Sequence, residues 1–461
     1  MLCRGQRFII GLIMRSDQAI MAPLAPDAPK DRFDVYRFFN GVSQEGKAGI
    51  DAGRTRIPLV KTFLLEHVSA SCLQSKKPET LWADLTCETR PIDDSFFSIT
   101  ADWQDPQTKK TARKVVGFLE PFDARFFAFY TCEAVADAQK RVARWAQHPD
   151  LDMTWFSSPL LQTLWQKDVL FRGDARFTRL VFKHESIFEM PGDFAEPGPS
   201  QTSTDTARGM PSLPDEDGPE PEQRNARVEL GDRIGRIRKS LHALQDSYDP
   251  MNALAALRIP SLTETGGHDL YQSGRVTNRT ASFEDHRNTV RHIYGIYKSV
   301  LNYTEQLAWQ DDRLLGGAAG DRGLPAGGAP LIVRFAEPLE KATFQRWINM
   351  AFQKRNRFKL WGQPIPMGPN KVHVYGADRH LWQPINLEIT NEGLTALLPR
   401  GTCGNTFHRL VTNIQHYVSP KITTWLGATP FSDVVARWPA NSTSAGAGTA
   451  HAAHAEGGHA R

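Results

Sequence analysis

Residues 341–377 have the sequence KATFQRWINMAFQKRNRFKLWGQPIPMGPNKVHVYGA, and this stretch decides the fold predicted for the C-terminal part of the chain. It contains seven Lys or Arg and no Asp or Glu. Aromatic and aliphatic residues recur at helical spacing and predict an amphipathic helix over 341–356. Phe358 and Trp361 follow that apolar stripe and lie outside it. Interleaved cations and aromatics are what a surface needs to hold a polyanion and to stack on bases.

The sequence on both sides of this helix predicts strands. LIVRFAEPL precedes it, KVHVYGADRHLWQPINLEI and LTALLP follow it, and NTFHRLVTNIQHYV predicts a final helix. The resulting βαββα order over 331–439 is compatible with a ferredoxin-like sandwich. We therefore predict the α+β class, with a basic C-terminal domain.

The charge of this region favours a nucleic-acid partner, either DNA or RNA. Residues 341–432 carry eleven Lys or Arg and three acids, which gives +8, whereas the whole chain is +4. We expect the cations to contact phosphates and two aromatics to stack on bases. The predicted nucleic-acid-binding residues are Arg346, Lys354, Arg355, Arg357, Phe358, Lys359, Trp361, Lys371, Arg400 and Arg409.

The loop PRGTCGNT at 399–406 precedes the last predicted helix. Its glycines let the backbone approach an anion, and the free N–H groups at a helix start bind one. The loop matches neither a P-loop nor a dinucleotide fingerprint. An ordinary glycine turn followed by a helix with an Asn or Thr cap explains the same sequence.

An enzymatic alternative is a metal-dependent nuclease or other phosphodiester hydrolase in the same domain. Asp378 and Glu388 have the spacing of a strand-borne metal site, and His380 and His408 are the nearby bases. The Lys that polarises the attacking water in such sites is missing. Cys403 near a His lacks any local nucleophile signature. The leading prediction is a protein without its own chemistry, with no cofactor and no metal.

Residues 31–190 predict an N-terminal α+β domain. The segments 32–39, 95–103, 112–122 and 124–134 predict strands, with a turn at 40–54 and a hairpin joining the last two. The apolar segment 57–73 is compatible with either a buried strand or a helix. A helix is expected over 134–148, and Ser158 followed by Pro159 marks the start of another. RFTRLVFKHE predicts a further strand.

The middle of the chain predicts two linkers and a pair of helices. Residues 191–225 are acidic and Pro-rich, which favours disorder, and 314–330 form a Gly-rich linker. Apolar residues repeat at heptad spacing in 226–247 and 284–309, which predicts an antiparallel hairpin with a long polar loop. These helices were predicted to dock a protein partner or a second copy. A second alternative function is a structural subunit whose basic surface meets an acidic protein.

Composition excludes several other classes. The five cysteines are odd in number and scattered, so neither a disulfide scaffold nor a zinc framework is indicated, and a cytoplasmic location is expected. No run approaches the roughly 18 apolar residues of a membrane span, and no membrane partner is expected. A leader over 1–30 and a tail over 440–461 lack core-forming content.

Overall fold

A computed structural model describes residues 29, 31–54, 57–67, 78–104, 110–185, 226–310, 328–352, 358–379, 382–399 and 401–438. The leader, both linkers and the tail fall almost wholly outside these residues. The described chain combines helices with antiparallel sheets, which confirms the α+β class. No helix of the described part is long and apolar enough to cross a membrane.

The described residues form nine α-helices: α1 (Arg32–Asp51), α2 (Pro78–Asp84), α3 (Val135–Trp145), α4 (Ser158–Lys167), α5 (Ile234–Ser247), α6 (Phe283–Ala308), α7 (Lys341–Ala351), α8 (Asn405–Tyr417) and α9 (Phe431–Val435). They also form twenty strands: β1 (Lys61–His67), β2 (Glu88–Pro91), β3 (Phe97–Gln104), β4 (Thr111–Pro121), β5 (Phe126–Thr131), β6 (Leu151–Met153), β7 (Phe177–His184), β8 (Ala226–Arg233), β9 (Leu254–Pro260), β10 (Gly267–Tyr271), β11 (Arg275–Asn278), β12 (Trp309–Gln310), β13 (Leu331–Phe335), β14 (Leu360–Gly362), β15 (Ile365–Gly368), β16 (Lys371–Asp378), β17 (Gln383–Thr390), β18 (Gly393–Pro399), β19 (Ile422–Leu426) and β20 (Thr429–Pro430).

The first sheet has eleven strands in the order β2-β3-β4-β5-β1-β11-β10-β9-β7-β8, with β6 beside β1. The predicted β4–β5 hairpin is present, and so are the helices α3 and α4. Every residue of β1 is buried, as expected for a central strand that is covered on both faces. Because β1 pairs with both β5 and β11, strands from before and after the acidic linker share one sheet.

The predicted helical hairpin with a long polar loop is wrong. The supposed loop forms β9, β10 and β11, which are inner strands of the first sheet. The apolar stripe of α6 packs against α1 and α9 within the chain's own core, so the stripe itself is already covered. The Gly-rich, polar sequence of this region resembles a loop. The prediction failed because buried strands near a sheet's centre tolerate hydrogen-bonded His, Asp and Asn.

The predicted strand at 32–39 and the turn after it are also wrong, because both belong to α1. The Asp31 carboxylate accepts a hydrogen bond from the Asp34 N–H at 2.9 Å and caps the helix. The residues that α1 buries are spaced along one helical face, among them Gly46. A Cβ at Gly46 would lie 2.8 Å from the Pro58 carbonyl oxygen, so this glycine permits the helix to approach the chain leading into β1.

The second sheet has nine strands and follows the order β14-β16-β17-β18-β13-β19-β20, with β12 and β15 attached at its sides. The predicted strands and both predicted helices of this region are present. The ferredoxin-like arrangement is not, because β14, the first strand after α7, is separated from β13 by the three strands β16, β17 and β18. In a ferredoxin-like split βαβ unit a single strand lies between the two strands that the first helix joins.

One continuous apolar core joins the two sheets. It includes residues from Val35 in α1 to Val435 in α9, and both α6 and α8 contribute to it. A smaller core lies on the opposite side of the first sheet, under α2 and α3. The N-terminal and C-terminal regions therefore share their interior.

We expect Gly46→Ala and Gly41→Ala to change stability in opposite directions. Both glycines lie in α1, but Gly41 is exposed with no atom within 4 Å of an added Cβ. Ala at Gly41 should stabilise the fold by about 0.5–1 kcal/mol, because Gly is a poor helix former. Ala at Gly46 should cost about 1–3 kcal/mol through overpacking. Urea unfolding measures both, and equal stabilisation would contradict the close packing of α1.

Candidate functional site

The loop before α8 holds an anion, but that anion belongs to the chain itself. The Gly404 N–H donates to Glu305 Oε1 at 2.9 Å, and the Cys403 N–H donates to Gln383 Oε1 at 2.6 Å. Glu305 comes from α6, so a carboxylate from one helix sits at the N-terminus of another. The predicted backbone groups bind an anion as expected, and they are already occupied. Arg400 lies outside the described residues.

Arg125 connects this loop to the first sheet. Its Nη1 and Nη2 donate to the two Glu305 oxygens at 3.0 and 2.6 Å, and its Nε donates to Glu66 Oε1 at 2.6 Å. Two buried carboxylates therefore share one guanidinium. Burial raises the pKa of Glu66 to about 7, and Arg125 opposes that shift. The Cys403 thiol also donates to Glu66 Oε1, at 3.3 Å.

Arg409 forms a second buried ion cluster beside the first. Its guanidinium contacts Asp152 Oδ2 of β6 at 3.3 Å and Asp378 Oδ2 of β16. The Thr406 hydroxyl also donates to Asp378 Oδ2, at 2.6 Å. The predicted phosphate contact at Arg409 is therefore wrong, because this side chain lies in α8, whose residues 405–416 are all buried. We call Arg125, Glu66, Glu305, Arg409, Asp152 and Asp378 the ionic hub.

Asp378 and Glu388, the two carboxylates of the nuclease alternative, do not converge. Glu388 lies opposite His373 in the β16–β17 pair, five residues along the strand from Asp378, which is roughly 16 Å. The partners of Glu388 are Lys371 at 2.8 Å and His373 at 3.0 Å. Within the described ranges no group of three or more His, Cys, Asp or Glu could hold a metal ion.

His408 is also unlike a catalytic base, and His380 lies outside the described residues. The His408 ring is buried, and its Nδ1 lies 3.0 Å from the Ser157 hydroxyl oxygen. Burial lowers the pKa of His408 to about 3. The imidazole is therefore neutral and structural at ordinary pH.

The predicted nucleic-acid contacts separate into three groups. Phe358 is buried and packs edge-on against Tyr417, so its predicted stacking role is wrong. The second group consists of residues that keep some exposure to solvent. Trp361 and Arg346 are exposed, the latter on the outer side of α7. Lys359 is half-buried, and Lys371 pairs with Glu388. The remaining predicted contacts lie outside the described residues: Lys354, Arg355, Arg357 and Arg400.

The second sheet presents one face to solvent, and exposed aromatics lie on it or at its end. Burial alternates along β16, β17, β18 and β13, because one side packs on the core and the other does not. Trp361, Tyr375 and Trp382 are 59%, 70% and 58% exposed. We call the outward side of β14 and β16–β18 the open face.

The end of the open face near Trp361 contains strained backbone. Lys359 and Trp382 have φ of 53° and 51°, and these are two of the three non-glycine residues with positive φ in the described ranges. The Arg379 N–H donates to the Lys359 carbonyl at 2.7 Å, which brings the two segments together. Residues held in such conformations cluster at binding sites, where surrounding structure imposes the strain.

Sequence reasoning missed Tyr375 although its signal was present. In KVHVYGAD the strand alternation places Tyr375 on the same side as Lys371 and His373, opposite the buried valines. The ionic hub had no such signal. Glu66, Arg125 and Glu305 are far apart in sequence, and only the fold brings them together.

Residues 52–190 and 240–430, more than half of the chain, match the family of MJECL33-like proteins, so the chain belongs to this family. All six residues of the ionic hub lie within the matched ranges.

One similar curated protein is the uncharacterized protein MJECL33 of Methanocaldococcus jannaschii, which is 29% identical over 147 residues. The match covers 32% of this chain and 33% of that protein, so the chain spans about one third of the relative's length. No solved structure matches the chain.

We expect Arg409→Met to destabilise the fold by about 3–5 kcal/mol, because Asp152 and Asp378 would stay buried and lose the guanidinium that contacts both. Arg37→Met is the matched control, since its ion pair with Asp34 is at the surface and should contribute less than about 1 kcal/mol. Urea unfolding gives both values. Asp378→Asn in the Arg409→Met background should recover part of the loss. Equal effects at positions 409 and 37 would contradict the hub's role.

Glu66 should make stability fall as pH rises. Its pKa is about 4.5 in an unfolded chain and about 7 in the fold, so between these values the folded state retains a proton that the unfolded state has lost. The contribution is therefore complete below about pH 4.5 and is lost towards pH 7. Glu66→Gln mimics the protonated form and should remove this slope, whereas Glu45→Gln on the exposed side of α1 should not. Unfolding free energies across this range measure the effect, and identical slopes in wild type and Glu66→Gln would contradict it.

Proposed function

We propose that this protein binds single-stranded nucleic acid on the open face of the second sheet and carries out no chemistry of its own there. The observation that carries the proposal is the exposure of Trp361, Tyr375 and Trp382 at one end of a solvent-facing sheet surface. Large aromatics are costly to leave in water, and a set of them on a surface marks a recognition site.

The positions of the aromatics suit successive bases. Trp361 lies opposite Ala377, which points to the same side of β16 as Tyr375 two residues earlier. Trp361 and Tyr375 are therefore diagonal neighbours, with Cα atoms roughly 7–8 Å apart. Trp382 immediately precedes Gln383, which pairs with Asp378 at the same end of the sheet. Bases of a single strand can stack on such rings whatever their identity.

The charge around the open face supports a polyanionic ligand. On the outward sides of β13 and β16–β18 the cations are Lys371 and Arg334, and the one acid is Glu388. Lys371 and His373 both contact that carboxylate. Lys354, Arg355 and Arg357 lie outside the described residues, and in the sequence they contribute to the excess of cations over acids in 341–377. A phosphate backbone is attracted to such a surface, and the attraction weakens with salt.

A single strand fits the open face better than a duplex. Stacking on a flat sheet requires bases whose faces are free, and base pairing in a duplex hides them. The aromatics lie on strands and at a strand end, so they are held rigidly and little side-chain entropy is lost on binding.

We expect Trp361→Ala and Tyr375→Ala to weaken binding of a fluorescently labelled oligo(dT) or oligo(U), measured by anisotropy. Each stacked base is worth about 1–3 kcal/mol, or roughly 5- to 150-fold in affinity. Phe171→Ala is the matched control, because Phe171 is strongly exposed but lies before β7, away from the open face.

The log of the affinity should fall linearly with the log of the salt concentration, and a duplex of the same length should bind more weakly. Three outcomes would contradict the proposal: no binding by the wild type, equal losses at Trp361 and Phe171, or tighter binding of the duplex. Binding of an acidic peptide in place of the oligonucleotides would instead favour the structural-subunit alternative.

A further inference from the structure

The outer side of the first sheet, which carries α2 and α3, is apolar in one half and rich in arginine in the other. Under those helices the smaller core takes apolar side chains from β1, β3, β4 and β5 and none from β7–β11. Over β7–β11 the same side of the sheet carries arginines. A carboxylate, Asp269 of β10, lies among them and is almost completely buried.

Asp269 serves three guanidiniums at once. The Nε atoms of Arg258 and Arg279 donate to it at 2.6 and 2.5 Å, and Arg179 Nη1 lies 3.7 Å away. Arg179 has a second partner in Glu229 of the edge strand β8. Asp269 and Glu229 therefore act as the counter-ions of these three arginines.

Arg275 on the neighbouring strand β11 forms no ion pair with a carboxylate of the described residues, although the charge of Asp269 acts on it. Its side chain is on the same side of the sheet, because it lies opposite Phe63 and two residues from Thr277, which lies opposite Asp269. The residue is 6% exposed, and its Nε and Nη1 have no hydrogen-bond partner. The guanidinium stacks on the Tyr271 ring, 3.8 Å from its centroid. Burial lowers the pKa of Arg275, while Tyr271 and the charge of Asp269 oppose that shift.

Lys61 of β1 is a second buried cation next to Arg275. It lies opposite Thr277 and is therefore a diagonal neighbour of Arg275, roughly 7–8 Å away between Cα atoms. It is 4% exposed, and its ammonium donates to the Leu59 carbonyl at 2.7 Å. Burial lowers the pKa of Lys61 to about 8, and the charge of Arg275 contributes. The nearby Glu133 is held by Arg141 at 3.0 and 2.7 Å.

We propose that Arg275 and Lys61 form a binding site for one phosphoryl group, on the first sheet and separate from the open face of the second. Two neighbouring buried cations that form no direct ion pair with a carboxylate of the described residues match a dianion, whose charge offsets both. A guanidinium fork binds two phosphoryl oxygens, and an ammonium adds a compact charge for a third. Tyr271 fixes the plane of the fork.

The surroundings of the pair determine the size of the ligand. Arg179, Arg258 and Arg279 flank it with partly exposed side chains and attract an anion from solvent. The pair itself is buried, with Arg275 and Lys61 6% and 4% exposed, which suits one group and not an extended backbone. The phosphoryl group comes from free phosphate or from a small molecule such as a nucleotide, and the two sources share this chemistry.

The test is isothermal titration of the full chain with inorganic phosphate and with AMP, at constant ionic strength in chloride. Wild type should bind at least one of them, and Arg275→Met and Lys61→Met should each bind at least tenfold more weakly. Arg227→Met is the matched control, because Arg227 is an exposed cation of the edge strand β8 and should leave binding unchanged. Arg275→Lys should retain part of the affinity.

Tighter binding of AMP identifies a nucleotide as the source, and equal binding identifies the phosphate ion. Loss of an unpaired buried charge should leave the melting temperature of Arg275→Met equal to or above that of wild type, which separates lost binding from lost folding. If Arg275→Met does not fold, Arg275→Lys and Lys61→Met decide. The proposal is overturned if wild type binds neither ligand, or if folded Arg275→Met or Lys61→Met binds like wild type.

Discussion

Two guanidiniums, those of Arg125 and Arg409, tie the two sheets of this protein together. Arg125 comes from the turn between β4 and β5 and meets Glu305 of α6, while Arg409 in α8 meets Asp152 of β6 and Asp378 of β16. Charges in such a place are costly unless each has its partner, so the hub forms only when both sheets and both helices are in position. The apolar core alone tolerates many arrangements, whereas these ion pairs specify one.

The hub also accounts for the division of the basic C-terminal region into an inner and an outer part. The loop before α8 satisfies its backbone donors with Glu305 and Gln383, and Arg409 is consumed by carboxylates. What remains for a ligand is the outward side of the second sheet, where the exposed aromatics are found. The first sheet has its own contrast, since Arg179, Arg258 and Arg279 share Asp269 and Glu229, whereas Arg275 forms no ion pair with a carboxylate of the described residues.

Sequence patterns predicted the local elements well where periodicity was clear. The alternation in KVHVYGAD and the Ser-Pro start of α4 identified the correct structures. Periodicity failed for α1, whose three glycines resemble a turn, and for β9–β11, whose polar letters resemble a loop. In both cases the residue types are set by contacts with distant segments, such as the approach of Gly46 to Pro58. For the candidate site, sequence identified Trp361 as an exposed aromatic but wrongly assigned Phe358 and Arg409 to the surface.

The sequence by itself determined the α+β class, most of the strands and helices, and the excess of cations over acids in 341–432. Secondary structure depends largely on neighbouring residues, and the charge excess is a count of residue types. Both can be read from the sequence alone. Only the tertiary structure decided which cations are buried with carboxylates and which face outward, because a charge's role depends on partners that the chain brings from far away. Glu66 and Cys403 illustrate the point, since 337 positions separate two side chains that share a hydrogen bond.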